Sequence, residues 1–138
     1  DQPNCPICLA RGTPIEAPDG PIAVDRLRLG DPIWTFDAAG RRIAGSVIAI
    51  GSTPAPPGHH VIRLALADAR TVTASPGHPL ADGRPLGEVR VGDVVDGSRV
   101  VSAEVLTYDA DSTFDLVASG PTGGYFAGAI PMLSTLEP

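Results

Sequence analysis

The side chains able to do chemistry are few and widely spaced. Cys5-Pro6-Ile7-Cys8 is a C-x-x-C unit, Ser75-Pro76-Gly77-His78 pairs a hydroxyl with an imidazole, and His59-His60 adds two more rings. Asp115 interrupts the apolar run Phe114–Val117. A C-x-x-C pair suits thiol redox work or a metal. A thioredoxin-like redox site wants a βαβ setting with a helix starting behind the first Cys, and this sequence offers neither. A structural zinc wants four ligands, against two Cys and three His in the whole chain. His59 and His60 are adjacent, so in a strand they point to opposite faces, and both read as a solvated loop end. Ser75 and His78 read equally as an ordinary turn, in which Ser, Pro and Gly serve the backbone geometry. A carboxylate inside an apolar strand must be paired or hydrogen-bonded, so Asp115 reads as a structural hydrogen-bonder or as a catalytic group.

What must position these groups is legible as a repeat. Leu27-Arg28-Leu29-Gly30-Asp31-Pro32-Ile33 returns 62 residues later as Val89-Arg90-Val91-Gly92-Asp93-Val94-Val95. Upstream, Ala17-Pro18-Asp19-Gly20-Pro21-Ile22 is echoed 58 residues later by Ser75-Pro76-Gly77-His78-Pro79-Leu80. Two ordered matches at nearly one spacing indicate a duplicated unit with a small loop insertion. Asp31 and Asp93 follow Gly in the matching turns and are expected to fix the backbone there. The repeat is asymmetric in chemistry: Ser75 and His78 stand where the first half has Ala17 and Gly20. Such a local departure marks the place to look for a site.

The elements read as β throughout. Candidate strands are 22–27, 32–37, 42–50, 60–66, 70–74, 93–95, 99–108, 113–118 and 124–130, with turns at Asp37–Gly40 and Asp68–Arg70 and an extended Pro-rich loop at 52–58. Gly 16 and Pro 15 in 138 residues exclude long helices. With 43% hydrophobic but only 4% aromatic residues, the core rests on aliphatic side chains, with Trp34 and the other aromatics placed in it. The length fits one domain. A net charge of −6 excludes a nucleic-acid-binding stripe, and no apolar run reaches the ~20 residues of a membrane span. All ten basic residues are Arg, which reads as base composition of the genome. The chain begins at Asp1 without an initiator Met, as expected of a segment within a longer precursor or one processed at its start. Two Cys in a Pro-rich stretch suit a secreted or cell-surface protein without deciding the compartment.

Taken together, these residues resemble Hint (Hedgehog/intein) domains. Cys8-Leu9-Ala10-Arg11-Gly12-Thr13-Pro14-Ile15, then Pro18-Asp19-Gly20 and Leu29-Gly30-Asp31, is similar to the family's amino-terminal block. Ser75-Pro76-Gly77-His78 resembles its Thr-x-x-His block with Ser for Thr, and Thr113-Phe114-Asp115-Leu116-Val117 with Tyr125-Phe126-Ala127 resembles its late block. The resemblance implies an all-β, pseudo-two-fold Hint fold over residues 8–138, with 1–7 as an upstream flanking segment. It implies that Cys8, Ser75, His78 and Asp115 form a catalytic set for self-processing.

The implied chemistry is an N-to-S acyl shift, in which the Cys8 thiol attacks the Ile7 carbonyl and converts the Ile7–Cys8 peptide bond to a thioester. Ser75 would help the oxyanion, His78 would protonate the departing nitrogen, and Asp115 would tune the thiol or handle a later proton. The substrate is the protein's own flanking polypeptide, the second reactant a small nucleophile such as water or a thiol, and the domain acts as a monomer without cofactor or metal. Splicing members end their last block in His-Asn; here the corresponding stretch 128–136 has neither, and the only Asn is Asn4, so Asn-dependent splicing is not expected. The persistence of Asp1–Ile7 ahead of Cys8 fits a slow or inhibited domain, or an inactive Hint fold kept as a scaffold or binding module. Pro3 and Pro6 stiffen the segment holding Cys5, so a Cys5–Cys8 disulfide is expected to be within reach and would block the nucleophile until reduced.

Overall fold

In the computed structural model, residues 8–136 are described, and they form eleven strands and two short 3-10 turns. The strands are β1 (Pro14–Ile15), β2 (Ile22–Ala23), β3 (Pro32–Phe36), β4 (Arg42–Pro54), β5 (His60–Leu66), β6 (Thr71–Ala74), β7 (Val94–Val95), β8 (Ser98–Thr107), β9 (Ser112–Ala118), β10 (Tyr125–Ala127) and β11 (Ile130–Met132). They build three antiparallel sheets in the orders β11-β10-β1-β2, β3-β4-β9 and β6-β5-β8-β7. No helix among the described residues is long and apolar enough to cross a membrane.

The duplicated unit is visible atom by atom. In the first copy Asp31 accepts the Arg28 N–H at 2.9 Å. The Gly30 N–H donates to the Val47 carbonyl, and the Val47 N–H returns to the Asp31 carbonyl. In the second copy Asp93 accepts the Arg90 N–H at 2.9 Å. Gly92 and Asp93 exchange the same pair of bonds with Val100. Gly30 and Gly92 take φ of 89° and 99°, a left-handed conformation that a side chain would strain.

The two copies trade partners. β4, the long strand of the first half, pairs with β9, the strand that follows the second half's β8, while β8 pairs with β5, the strand that follows β4. Each half therefore completes its sheet with a strand from the other, and one continuous core runs through Leu9, Ile33, Leu64, Leu86, Val100, Leu116, Tyr125 and Met132.

Besides the short strand β1 and the 3-10 turn Leu86–Glu88, which the sequence reading lacks, three elements differ from it. Residues 22–27 are a strand only at 22–23 and then turn through a 3-10 segment, Val24–Arg26. Val24 and Leu27 are both buried. Residues three apart share a face in a 3-10 turn and lie on opposite faces in a strand, so burial of both selects the turn. The run 124–130 divides into β10 and β11 because Gly128 and Ala129 take φ of 58° and 64°, the two left-handed residues of a tight hairpin. A Cβ on Gly128 would lie 1.9 Å from the Thr71 carbonyl oxygen. The loop read at 52–58 starts later, since β4 continues to Pro54. Trp34 is half-buried rather than in the core, with the Arg42 guanidinium 5.5 Å from its ring centre.

Candidate functional site

Residues 8–10 thread between two strands of different sheets. Leu9 exchanges backbone hydrogen bonds with Phe114 of β9 at 2.6 and 2.9 Å. On the other side Ala10 N–H donates to the Thr73 carbonyl and Ser75 N–H donates to the Cys8 carbonyl at 3.0 Å. The amino-terminal segment is thereby held as a short strand between β6 and β9, and the register delivers Cys8 to the end of β6 and the middle of β9. Cys8 is buried, at 5% exposure, as are Ser75, His78 and Asp115.

The amide nitrogen of Cys8, the nitrogen of the Ile7–Cys8 bond, donates to Ser75 Oγ at 3.4 Å. The family resemblance implies an oxyanion role for Ser75; in the structure its hydroxyl contacts the Cys8 amide nitrogen. Ile7 lies outside the described residues, and so does Cys5, which places the expected Cys5–Cys8 disulfide outside them too.

His78 sits at the end of the turn opened by Ser75, whose carbonyl accepts the His78 N–H at 3.0 Å. The same bond closes Ala17–Gly20 in the first half, so the two turns match in backbone and differ in side chains. His78 Nε2 lies 2.9 Å from the Tyr125 hydroxyl. That hydroxyl donates to Asp115 Oδ1 at 2.6 Å. Tyr125 is held protonated, its pKa pushed well above the ordinary phenol value by burial first, then by the Asp115 charge and the hydrogen bond to it, with Cys8 acting in the same direction. A phenol has one hydrogen. Given to Asp115, it leaves Tyr125 an acceptor toward His78, so Nε2 of His78 carries a proton.

Asp115 receives four donors. Oδ1 takes Tyr125 and the Leu116 N–H. Oδ2 takes the N–H and hydroxyl of Thr135. This ring of donors replaces water around a buried carboxylate and answers the question its apolar strand posed. It also ties the segment after β11, at Thr135, to the same site.

Two participants were missed by sequence reasoning. Tyr125 carries no sequence signal beyond its place in the block Tyr125-Phe126-Ala127, although it links His78 to Asp115. The sequence reads His59 and His60 together as a solvated loop end, and in the structure only His60 is exposed. His59 is 7% exposed, with Nε2 3.2 Å from Ser75 Oγ. No local signal marked it, because β5 begins at His60 and strand alternation does not set the direction of His59. Burial, and then the charge of His60, lower the His59 pKa from its ordinary value. Among the described residues no three His, Cys, Asp or Glu are grouped to hold a metal.

Comparison with known proteins agrees with this architecture. A family profile described as Hint domain matches residues 7–107. No curated protein matches the chain by sequence. Among solved structures it is similar to a bacterial intein-like domain from Clostridium thermocellum, at 13% identity and TM-score 0.79, over 93% of this chain and 99% of that one. It is also similar to a DnaB intein from Synechocystis sp. PCC 6803, at 18% identity and TM-score 0.76, over 94% and 99%. A third, the MchDnaB-1 intein, aligns at 22% identity and TM-score 0.68, over 91% and 98%. With two halves that exchange strands, an amino-terminal segment clamped between β6 and β9 and a profile match across most of its length, this chain belongs to the Hint domain family.

Proposed function

We propose that the domain performs an N-to-S acyl shift at Ile7–Cys8, followed by cleavage or transfer of the upstream segment to a small nucleophile, without an Asn-dependent step. The observation that carries this reading is the Cys8 amide N–H on Ser75 Oγ, with the Cys8 carbonyl fixed by the Ser75 N–H. Cys8 is thus held at its amide nitrogen and at its carbonyl by one residue of the second half.

With Nε2 of His78 committed to Tyr125, proton transfer falls to Nδ1. Nδ1 takes the Cys8 thiol proton as Sγ attacks the Ile7 carbonyl carbon, and the imidazolium then passes it to the Cys8 nitrogen as the C–N bond breaks. The products are an Ile7 thioester on Sγ and a free Cys8 amine, with the proton moved from sulfur to nitrogen. Attack by water or a thiol releases the upstream peptide and returns Cys8 to a thiol. Ser75, by accepting the amide hydrogen, fixes the nitrogen's orientation so that its lone pair is presented to the proton donor. Tyr125 and Asp115 hold His78 in the tautomer that leaves Nδ1 for this work.

Burial of Cys8 favours a second reading, a Hint fold retained as a scaffold or binding module, because an outside nucleophile must reach a covered sulfur. Intact mass after incubation with a thiol or hydroxylamine near neutral pH separates the two. Release of Asp1–Ile7, abolished in Cys8→Ala and slowed about 10²-fold or more in His78→Ala, is the expected result. An unchanged mass in hydroxylamine would overturn the acyl shift and favour the scaffold.

A further inference from the structure

His59 is buried against the site, and the steps above do not use it. Its N–H donates to the Pro56 carbonyl at 3.1 Å and its carbonyl accepts the Tyr108 N–H at 2.7 Å. The imidazole stands edge-on to the Tyr108 ring, with centres 6.3 Å apart and planes at 90°. Backbone and ring together aim Nε2 at Ser75 Oγ, 3.2 Å away.

Ser75 Oγ has one hydrogen and two lone pairs. One lone pair takes the Cys8 N–H. The hydroxyl hydrogen needs an acceptor in a site where Ser75 is wholly buried. We propose that His59 is a positioning residue for the acyl shift: its Nε2 accepts the Ser75 hydroxyl proton and so turns the Ser75 oxygen lone pair onto the amide N–H of Cys8. This rests on the proposed acyl shift. Donation to His59 polarises the hydroxyl and makes its oxygen a stronger acceptor, since hydrogen bonds in series strengthen one another. Burial, which keeps His59 neutral, supports the lone pair on Nε2 that the arrangement requires. Without His59 the Ser75 hydroxyl rotates, and the leaving nitrogen loses the contact that orients it.

The test combines rate with tautomer. Thiol-induced release of Asp1–Ile7 should slow about five- to tenfold in His59→Leu, the loss of one buried hydrogen bond. His59→Gln, whose side-chain oxygen can accept where Nε2 did, should recover to within about twofold of wild type. His60→Ala should not change the rate. His59→Leu added to Ser75→Ala should be no slower than Ser75→Ala alone. Independently of any reaction, ¹⁵N shifts of His59 in a Cys8→Ala protein at neutral pH should show a protonated Nδ1 and an unprotonated Nε2. A proton on Nε2, fully additive losses, or failure of Gln to rescue would each overturn the proposal. No release from the wild-type protein overturns the acyl shift itself, while the tautomer still decides whether His59 takes the Ser75 proton.

Discussion

The Tyr125 hydroxyl accepts from Nε2 of His78 across 2.9 Å, and 47 residues separate the two in the chain. Because the same hydroxyl donates to Asp115, the imidazole is bound indirectly to a carboxylate on β9. Tyr125→Phe removes this link while keeping the ring that fills the core. We expect peptide release to slow about tenfold or more as His78 loses its fixed tautomer, at a stability cost of about 1–3 kcal/mol. Release kinetics beside urea unfolding would read both, and an unchanged rate would remove Tyr125 from the mechanism.

Asp115→Asn should be among the most damaging single changes. An amide presents an NH₂ group to donors that now meet a carboxylate, and four donors converge there. The expected cost is about 3–5 kcal/mol, because buried charged hydrogen bonds are broken without water to replace them. A loss under about 1 kcal/mol in urea titration would show that the ring of donors does not hold the carboxylate.

The matched turns make a paired forecast. Asp31→Ala and Asp93→Ala each remove one side-chain acceptor of a turn N–H, so each should cost about 0.5–1.5 kcal/mol, and by similar amounts. The double variant should be additive, since the two aspartates share no partner. Chemical denaturation of the three variants checks both points.

Gly128→Ala and Gly40→Ala separate crowding from backbone strain. Both glycines have positive φ, but a Cβ at Gly128 meets the Thr71 carbonyl while one at Gly40 meets open space. Gly40→Ala should cost about 1 kcal/mol and Gly128→Ala about 3 kcal/mol or more, with the β10–β11 hairpin displaced. Thermal unfolding of the pair is sufficient to compare them.

Acid stability should report on His59. Its folded-state pKa lies below the ordinary value of 6.5, from burial and then from His60. The unfolded chain therefore binds the proton more readily. This contribution to stability is fully present above about pH 6.5 and is lost as pH falls through the folded-state pKa. Urea midpoints measured from pH 7.5 down to pH 5 should decline less in His59→Gln than in wild type.

How much was legible beforehand depended on sequence distance. The Gly-Asp turns close within four residues, and their chemistry, a left-handed glycine followed by an acceptor for a nearby N–H, is written in adjacent letters. The Ser75–His78 turn and the β alternation are equally local, so the duplicated all-β fold and the candidate residues Cys8, Ser75, His78 and Asp115 could be named from sequence. The 3-10 turn at Val24–Arg26 could not, because it is selected by burial of Val24 and Leu27 in a core assembled from both halves. His59 and Tyr125 escaped for the same reason. Their partners lie 16 and 47 residues away, and those contacts exist only once β4 and β8 have exchanged strands with the opposite half. Local spacing determined which groups the chain possesses; long-range strand pairing decided which of them touch.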